Sequence, residues 1–347
     1  MSDQYHSICI LRLSAIGDVC HAVSVVQAIQ RTYPSAKITW VIGKIEAQLL
    51  EGLPGVELVI FDKKQGKAAY KKLKQQFAGQ QFDVLLHMQL AFRANWAARY
   101  IPAKVKIGFD QSRSKELHSL FINRRIAPQK EPHVLEGFQN FARAIGVECD
   151  TPSWQMPCTE HHETNADDLL KGLNRIFVIS PAASNAQRNW LAERYAAIAD
   201  YAADKGFSVV VTGGPTPSEQ ALCDEIISHA NCEINNIVGQ TDLKTLLCVL
   251  KRASLVLAPD TGPAHMAVTV STPVIGLYAH SNPKRTGPYG YLEYVVEVYN
   301  TNISEQKRKP ADKIAWGTRA KGDNLMSQIT VEQVKDMFDI VIAKEQL

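Results

Sequence analysis

The chain has no long hydrophobic run and no regular spacing of cysteines. Its longest apolar runs, such as residues 254–259 and 274–279, have the length of a strand and are far too short to cross a bilayer. The seven cysteines are scattered, odd in number and never form a Cys-x-x-Cys pair. This usage argues against a zinc ribbon or a disulfide framework and favours a reducing cytosol. Residues 1–6 do not have the pattern of an export signal, so we expect a cytoplasmic protein.

Several motifs for cofactors and metals are also missing from the sequence. No Gly-x-Gly-x-x-Gly follows the first predicted strand and no Gly-x-x-x-x-Gly-Lys-Ser/Thr occurs, which argues against a dinucleotide fold and a P-loop. No Asp-x-Asp pair is available to carry a metal-bound diphosphate. The run Glu160-His161-His162-Glu163 looks metal-like, but adjacent helical residues do not share a face. We therefore predict that no metal or cofactor is required.

The bulk composition is that of an ordinary globular protein, with 46% hydrophobic and 21% charged residues. A chain of 347 residues is long for one hydrophobic core, so two domains are expected. Residues 1–150 carry 20 Lys and Arg against 13 Asp and Glu, whereas residues 151–347 carry 18 against 22. A basic first half favours an anionic partner there, although a solvated surface explains the counts alone more simply.

Short apolar runs alternate with longer amphipathic stretches, which predicts β-α-β units on parallel sheets, an α/β fold. A polar stretch over residues 149–172 interrupts the alternation. We therefore predict domains over residues 1–165 and 166–325 and a C-terminal helix within residues 326–347. The predicted strands are Ile8–Leu13, Ile38–Ile42, Leu58–Phe61, Val84–His87, Val105–Phe109, Ile176–Ser180, Ser208–Thr212, Asn236–Val238, Ser254–Ala258 and Val274–Tyr278. The main predicted helices are His133–Ile145, Ala192–Ala203, Glu219–His229, Leu243–Arg252, one that begins at Pro263, and Thr330–Ala343.

The turn from Asp260 to His265 joins a predicted buried strand to a helix. In open parallel sheets, ligands bind where the carboxyl ends of strands meet helix N-termini. Pro263 suits the start of a helix, Gly262 allows close approach to the backbone, and the free N–H groups form an anion site. Thr261 adds a hydroxyl, and Asp260 and His265 can hold sugar or ribose hydroxyls. Taken alone, the turn is explained equally well as an ordinary capped helix.

Gly17 and Asp18 lie at the first predicted strand–helix turn. An Asp at this position is usually a helix cap. It can also project its carboxylate into a crevice and take a proton from an attacking hydroxyl. Position alone favours the cap.

Two more loops follow strands in the second half of the chain. Arg188 can pair bidentately with a phosphate and Ser184 can donate a hydrogen bond to one, although a plain surface loop is also compatible with this sequence. The loop at residues 213–215 is similar, and Glu219 opens the helix after it.

Together these segments resemble glycosyltransferase family 9, the lipopolysaccharide heptosyltransferases. The resemblance is carried by LRLSAIGDV at residues 11–19, DTGPAHMA at 260–267, PVIGLY at 273–278 and PKRTGPYG at 283–290. The chain departs from the family pattern in two places. Many members have Lys in the loop where this chain has Arg188, and residues 302–324 match no part of the pattern.

The resemblance implies a GT-B architecture, with two Rossmann-like domains that face a central cleft and a C-terminal helix that crosses back to the first domain. It implies inverting transfer of a heptose from ADP-heptose to the Kdo or heptose of the lipopolysaccharide inner core. In this scheme Asp18 is the general base, the first domain binds the acceptor and the second binds the nucleotide sugar. We assign Ser184, Arg188, Glu219, Asp260, Thr261, Gly262 and His265 to the donor, and Gly17, Arg113 and Arg124 to the acceptor.

A cluster of lysines lies on and before one short predicted helix in the basic half. Because the implied acceptor is an anionic glycolipid, we expect peripheral contact with the inner membrane, and no nucleic-acid partner. A plain solvated helix is the simpler alternative. The cluster consists of Lys63, Lys64, Lys67, Lys71, Lys72 and Lys74, with Arg113, Lys115, Arg124 and Arg125 adding to the same half.

Other functions remain compatible with these motifs. The motifs account for the binding of a diphosphate better than for the choice of sugar, so a family member with another nucleotide sugar or acceptor is the main alternative. A nucleotide-sugar epimerase of similar fold needs no separate acceptor. A non-catalytic two-lobed binding protein would tolerate the loss of Asp18.

Overall fold

The computed structural model describes residues 5–347. Residues 1–4, which entered the prediction about an export signal, lie outside the described residues. The chain divides into two compact units, Met1–Pro157 and Cys158–Leu347. The division falls before the predicted boundary at residue 165, because the helix Glu160–Leu169 packs on the helix Leu243–Arg252 of the second unit.

The first unit is built on a six-stranded parallel sheet with the strand order β3-β2-β1-β4-β5-β6. In the register, Ile8 pairs with Ile38 on one side and with Val84 on the other. The strands are β1 (Ser7–Leu11), β2 (Lys37–Gly43), β3 (Val56–Phe61), β4 (Phe82–His87), β5 (Ala103–Gly108) and β6 (Arg124–Arg125). The helices are α1 (Ile16–Thr32), α2 (Lys44–Leu50), α3 (Lys67–Gln76), α4 (Phe92–Ala98) and α5 (Val134–Arg143).

The second unit repeats this plan with the order β12-β11-β10-β7-β8-β9, also parallel. Val256 pairs with Val274 on one side and with Val178 on the other. The strands are β7 (Ile176–Ile179), β8 (Ser208–Val211), β9 (Ile234–Asn236), β10 (Leu255–Pro259), β11 (Val274–Tyr278) and β12 (Val295–Glu297). The helices are α6 (Glu160–Leu169), α7 (Ala192–Asp204), α8 (Pro217–His229), α9 (Leu243–Arg252), α10 (Gly262–Thr269), α11 (Pro283–Thr286), α12 (Tyr299–Lys307) and α13 (Val331–Glu345).

The predicted α/β class with two parallel sheets is confirmed. Strands β10 and β11 are buried along their whole length, as expected for parallel strands with helices on both faces. The polar stretch predicted over residues 149–172 nevertheless contains α6. Only Ala166 of that helix is buried, so its sequence shows almost no apolar periodicity.

The last helix, α13, completes the core of the second unit. The ring of Phe338 lies 5.2 Å from that of Phe177 and 5.4 Å from that of Phe207, centroid to centroid. Val334 and Val341 on the same helix are buried in this core. The apolar face of α13 is thus buried in the core of the second unit. No helix among residues 5–347 is both long and apolar enough to cross a membrane.

Candidate functional site

The turn between β10 and α10 carries a buried hydroxyl that no protein group satisfies. Thr261 is the N-cap residue of α10, but its side chain makes no capping hydrogen bond. Its Oγ1 atom is buried and has no hydrogen-bond partner among the described residues. Because Pro263 lies in the first turn, one of the amides that a cap would normally satisfy is missing. An unsatisfied buried hydroxyl costs about 1–3 kcal/mol, so this geometry favours a ligand over a simple cap.

Asp260 links this turn to the loop after β7. Arg188 Nη1 lies 3.4 Å from Asp260 Oδ2 and donates a hydrogen bond of 3.1 Å to the Asp260 carbonyl oxygen. His265 Nε2 lies 3.9 Å from Asp260 Oδ1. Burial alone would raise the pKa of the Asp260 carboxyl, but the interaction with His265, then Ser281 and Arg188, lowers it below its ordinary value. The structure thus places two of the predicted donor residues, Arg188 and His265, beside the ionised carboxylate of a third, Asp260.

A second arginine near Asp260 was not predicted from the sequence. The pKa of Arg319 is lowered by partial desolvation and by the positive charges of Arg188 and Arg285, while Asp260 opposes this shift. Arg319 therefore lies within electrostatic range of two other guanidinium groups and of the Asp260 carboxylate. The excess of positive charge suits an anion with more than one negative charge. Arg319 follows no periodic pattern and lies in the segment that matches no family motif, so the sequence offered no signal for it.

Ser184 and Glu219 lie in the loops that follow β7 and β8. Ser184 is exposed and precedes the short helical turn Ala186–Arg188. Glu219 accepts a 2.6 Å hydrogen bond from the Gly214 amide and a 3.1 Å bond from the Thr216 hydroxyl. In the strand order, β7 separates β8 from β10, which places the Glu219 loop about 10 Å from the Asp260 turn. A ligand that contacted both Glu219 and the Asp260 turn would therefore extend across the end of β7.

In the first unit, Asp18 is the third residue of α1 and does not cap it. The N-cap residue is Ala15, and no side chain caps this helix. Arg12, which directly follows β1, instead donates a short hydrogen bond from Nη2 to the Asp18 carboxylate. Arg12 also donates from Nη1 to the Met88 carbonyl at 2.6 Å, and its guanidinium lies 5.2 Å from the centroid of the Phe138 ring. Asp18 keeps 29% of its side chain exposed, so it is oriented and still accessible.

A pocket of about 180 Å³ opens at the carboxyl ends of β1, β2 and β3. Ser14, four residues before Asp18, contributes to its wall. Four cationic side chains line it against two carboxylates, so the pocket favours an anionic ligand. The cations are Lys44, Lys63, Lys64 and Arg93, and the carboxylates are Glu46 and Asp62.

The predicted acceptor residues are placed differently. Gly17 is buried in the first turn of α1, next to Asp18. Arg113 lies 2.5 Å from Asp110 through Nε and makes a short hydrogen bond to Gln129, so its guanidinium already serves the fold. Arg124 is exposed on β6, which β4 and β5 separate from β1 by about 14 Å. The structure therefore does not gather these three residues into one site, and the basic pocket holds cations that we did not assign to the acceptor.

One group of potential metal ligands occurs among residues 5–347, namely Cys158, Glu163 and Cys248. The two sulfur atoms lie 2.8 Å apart. Glu163 is already paired with Arg252 at 2.5 Å and with Lys251 at 3.1 Å. A carboxylate neutralised by two cations is a poor metal ligand, and thiolates bound to one zinc ion would lie farther apart.

The chain matches the model of glycosyltransferase family 9 (heptosyltransferase) over residues 70–315. It is similar to the lipopolysaccharide core heptosyltransferase OpsX of Haemophilus influenzae. The two proteins are 44% identical over 328 residues, which cover 94% of each chain.

Two solved structures show a similar fold. The glycosyl transferase of family 9 from Veillonella parvula superposes with a TM-score of 0.80 at 21% identity, with 99% of each chain covered. The Escherichia coli heptosyltransferase WaaC with ADP gives a TM-score of 0.74 at 20% identity, covering 96% of this chain and 99% of that one.

Proposed function

The chain belongs to glycosyltransferase family 9 (heptosyltransferase), and from this membership we propose that it transfers a heptose from ADP-heptose to the inner core of lipopolysaccharide. The observation that best supports a nucleotide-sugar donor is the Asp260 turn. This turn combines three groups that can bind an anion, namely a helix N-terminus, an unpartnered Thr261 hydroxyl and the Arg188 guanidinium. A nucleoside diphosphate matches these donors in charge and in hydrogen-bonding capacity.

In the proposed reaction Asp18 is the general base. The acceptor hydroxyl attacks the anomeric carbon from the face opposite the diphosphate, and the Asp18 carboxylate takes the hydroxyl proton. The bond between the anomeric carbon and the phosphate oxygen breaks, and ADP leaves with the pair of electrons. A single displacement of this kind inverts the anomeric configuration. Arg12 positions the carboxylate and does not itself contact the reacting atoms.

In this scheme the second unit stabilises the negative charge of the leaving group. The amide groups at the start of α10, the Thr261 hydroxyl and the Arg188 guanidinium stabilise the developing negative charge on ADP. Ser184 donates to the same phosphates, and Glu219, on the far side of β7, binds a hydroxyl of the ribose. Asp260 and His265 orient Arg188 and contact the sugar.

We propose that the basic pocket of the first unit receives an anionic group of the acceptor, a Kdo-lipid A or its heptosyl derivative. Its lysines follow β2 and β3 and Arg93 follows β4, at the same edge of the sheet as the turn that carries Asp18. Gly17 adds no side chain beside Asp18, and Arg113 and Arg124 bind more distant parts of the glycolipid in this proposal.

The proposed transfer needs no metal ion, because arginines and a helix N-terminus supply the positive charge. Turnover should therefore be unchanged by EDTA, and added Mg²⁺ or Mn²⁺ should not raise the rate. Loss of activity in EDTA that returns with one divalent ion would contradict this part of the proposal.

The exposed lysines of α3 make peripheral contact with the cytoplasmic face of the inner membrane in this proposal. Lys67, Lys71, Lys72 and Lys74 point to solvent, while Ala69 and Leu73 hold the helix to its unit. Each basic residue near an acidic bilayer contributes about 1 kcal/mol of attraction. The acceptor is itself a membrane lipid, so this contact would place the enzyme beside its substrate.

Calorimetry against ADP, UDP and GDP tests the donor assignment. We expect tight binding of ADP and negligible binding of UDP and GDP, and equal binding of all three would contradict it. The consumption of ADP-heptose and the release of ADP, each with and without acceptor, separate transfer from the alternative of an epimerase, which would turn over the nucleotide sugar without any acceptor and without releasing ADP.

A further inference from the structure

We propose that residues 316–323, which we call the strap, cross the carboxyl end of β10 and carry Arg319 to the diphosphate of the donor. The inference rests on the proposed function and adds a binding residue to it. It also assigns a role to part of the segment that resembles no family motif.

The strap is attached on both sides of the Asp260 turn. On the β11 side, the Ala320 amide donates to the His280 carbonyl at 3.0 Å, and His280 Nδ1 lies 3.2 Å from the Ala320 carbonyl oxygen. On the β7 side, Gln187 Nε2 donates to Asp323 Oδ1 at 3.1 Å. In the sheet order, β10 lies between β11 and β7. The part of the strap between Ala320 and Asp323 must therefore pass across the end of β10, and Arg319 lies directly before the β11 end of this crossing.

The attachment holds Arg319 in a defined place although its side chain is exposed. Its C-terminal neighbour, Ala320, makes both hydrogen bonds to His280, and the carbonyl oxygen of its N-terminal neighbour, Thr318, accepts a 2.8 Å bond from the Tyr299 hydroxyl. The backbone on both sides of Arg319 is therefore anchored. An anchored backbone lowers the entropy cost of ordering an arginine on a ligand.

Charge around Asp260 indicates what Arg319 binds. Arg188 is already paired with Asp260 at 3.4 Å, so one positive charge is neutralised by the protein. The positive charges of Arg188 and Arg285 act on Arg319. Like charges repel one another, so an anion bound between them would stabilise the group. A nucleoside diphosphate carries one more phosphate than a monophosphate and can bridge Arg188 and Arg319. We therefore assign Arg319 to the phosphate that a monophosphate lacks.

Calorimetry with ADP and AMP on the full chain tests this assignment. In Arg319→Gln we expect ADP to bind about 10- to 100-fold more weakly, the effect of losing a hydrogen bond to a charged group, while AMP affinity changes by less than about threefold. Arg308→Gln is the matched control. It is the same substitution at an exposed position outside the strap, and it should bind both nucleotides like the unmodified protein.

Each result separates the possible roles of Arg319. Unchanged ADP binding in Arg319→Gln overturns the assignment, and so does an equal loss for ADP and AMP, which would indicate a role in the fold or at the nucleoside. If Arg319→Gln does not fold, Arg319→Lys supports the same comparison with a point charge in place of the planar fork, and a selective loss for ADP is again required. Failure of the unmodified protein to bind ADP would instead refute the proposed function.

Discussion

Arg12 and Asp18 form the pair of side chains in the first unit that best fits a catalytic role. The helix dipole stabilises a negatively charged carboxylate in the first turn of a helix. The hydrogen bond from Arg12 also fixes the orientation of the Asp18 carboxylate. The 2.6 Å bond to Met88 and the contact with Phe138 restrict the guanidinium in turn. Asp18 is thus held in one orientation before any substrate arrives, as a general base must be.

Asp18→Asn should lower kcat by about a hundred- to ten-thousand-fold, because the amide cannot accept the acceptor proton. ADP affinity should not change, since the donor contacts are assigned to the second unit. Steady-state kinetics and calorimetry on the same preparation measure both effects. Asp204→Asn, a change at an exposed carboxylate on α7, should keep both values. Near-normal turnover in a folded Asp18→Asn protein that binds ADP would refute the assignment.

Thr261 allows binding and stability to be separated. Thr261→Val removes a hydroxyl that has no protein partner, so thermal stability should be unchanged or slightly higher. ADP should bind about 10- to 100-fold more weakly if the hydroxyl donates to the diphosphate.

Thr269 on the same helix provides the reverse case. Its buried hydroxyl donates to the Met266 carbonyl at 2.7 Å, so Thr269→Val should lose stability and keep ADP affinity. Calorimetry and thermal unfolding of both variants give the comparison. Unchanged ADP affinity in Thr261→Val would show that the hydroxyl faces no phosphate.

At the scale of elements, two buried histidines connect β4, α4 and the loop after β5. His118 Nδ1 lies 2.8 Å and His87 Nε2 lies 2.9 Å from the same oxygen, Asn95 Oδ1. The Phe109 amide donates to His118 Nε2 at 3.1 Å, so His118 is the neutral tautomer that carries its proton on Nδ1. Burial, followed by the charge of Arg125, lowers the pKa of His118 to about 4.

This lowered pKa predicts an acid-sensitive first unit. Because an unfolded histidine titrates near about 6.5, the unfolded chain takes up a proton first as the pH falls. The contribution of His118 to stability is therefore complete above about pH 6.5 and is lost as the pH falls toward 4. Thermal unfolding between pH 7 and 4 should show a falling midpoint. This fall of the midpoint with pH should be shallower in His118→Gln than in the unmodified protein, and the exposed control His229→Gln should behave like the unmodified protein. Equal slopes in all three proteins would contradict the interpretation.

Helices and strands with a clear apolar pattern could be predicted from the sequence. The predicted bounds of α9 and β11 match the structure, because each has a clear apolar pattern and α9 begins after an Asp242 cap that accepts from the Thr245 amide. β6 and β12 have two and three residues, too few for a period to be visible. Arg188 and Asp260 were assigned together because each follows a strand end, whereas Arg319 reaches the site through an irregular strap that no local pattern marks.

For the whole molecule, the uneven division of charge predicts behaviour at membranes. The purified protein should sediment with vesicles of acidic lipid at low salt and be released as salt screens the attraction. Replacing Lys67, Lys71, Lys72 and Lys74 with Gln should weaken sedimentation without changing ADP affinity. Absence of binding even at low salt would rule out the proposed contact.

Transfer of heptose from ADP-heptose to a Kdo-lipid A acceptor, with the anomeric configuration of the product read by NMR, tests the central claim most directly. We predict that ADP release requires the acceptor, that the acceptor gains one heptose, and that the new linkage has the configuration opposite to that of the donor. Turnover of ADP-heptose at the same rate without acceptor, or a product that retains the donor configuration, would contradict the proposed single displacement.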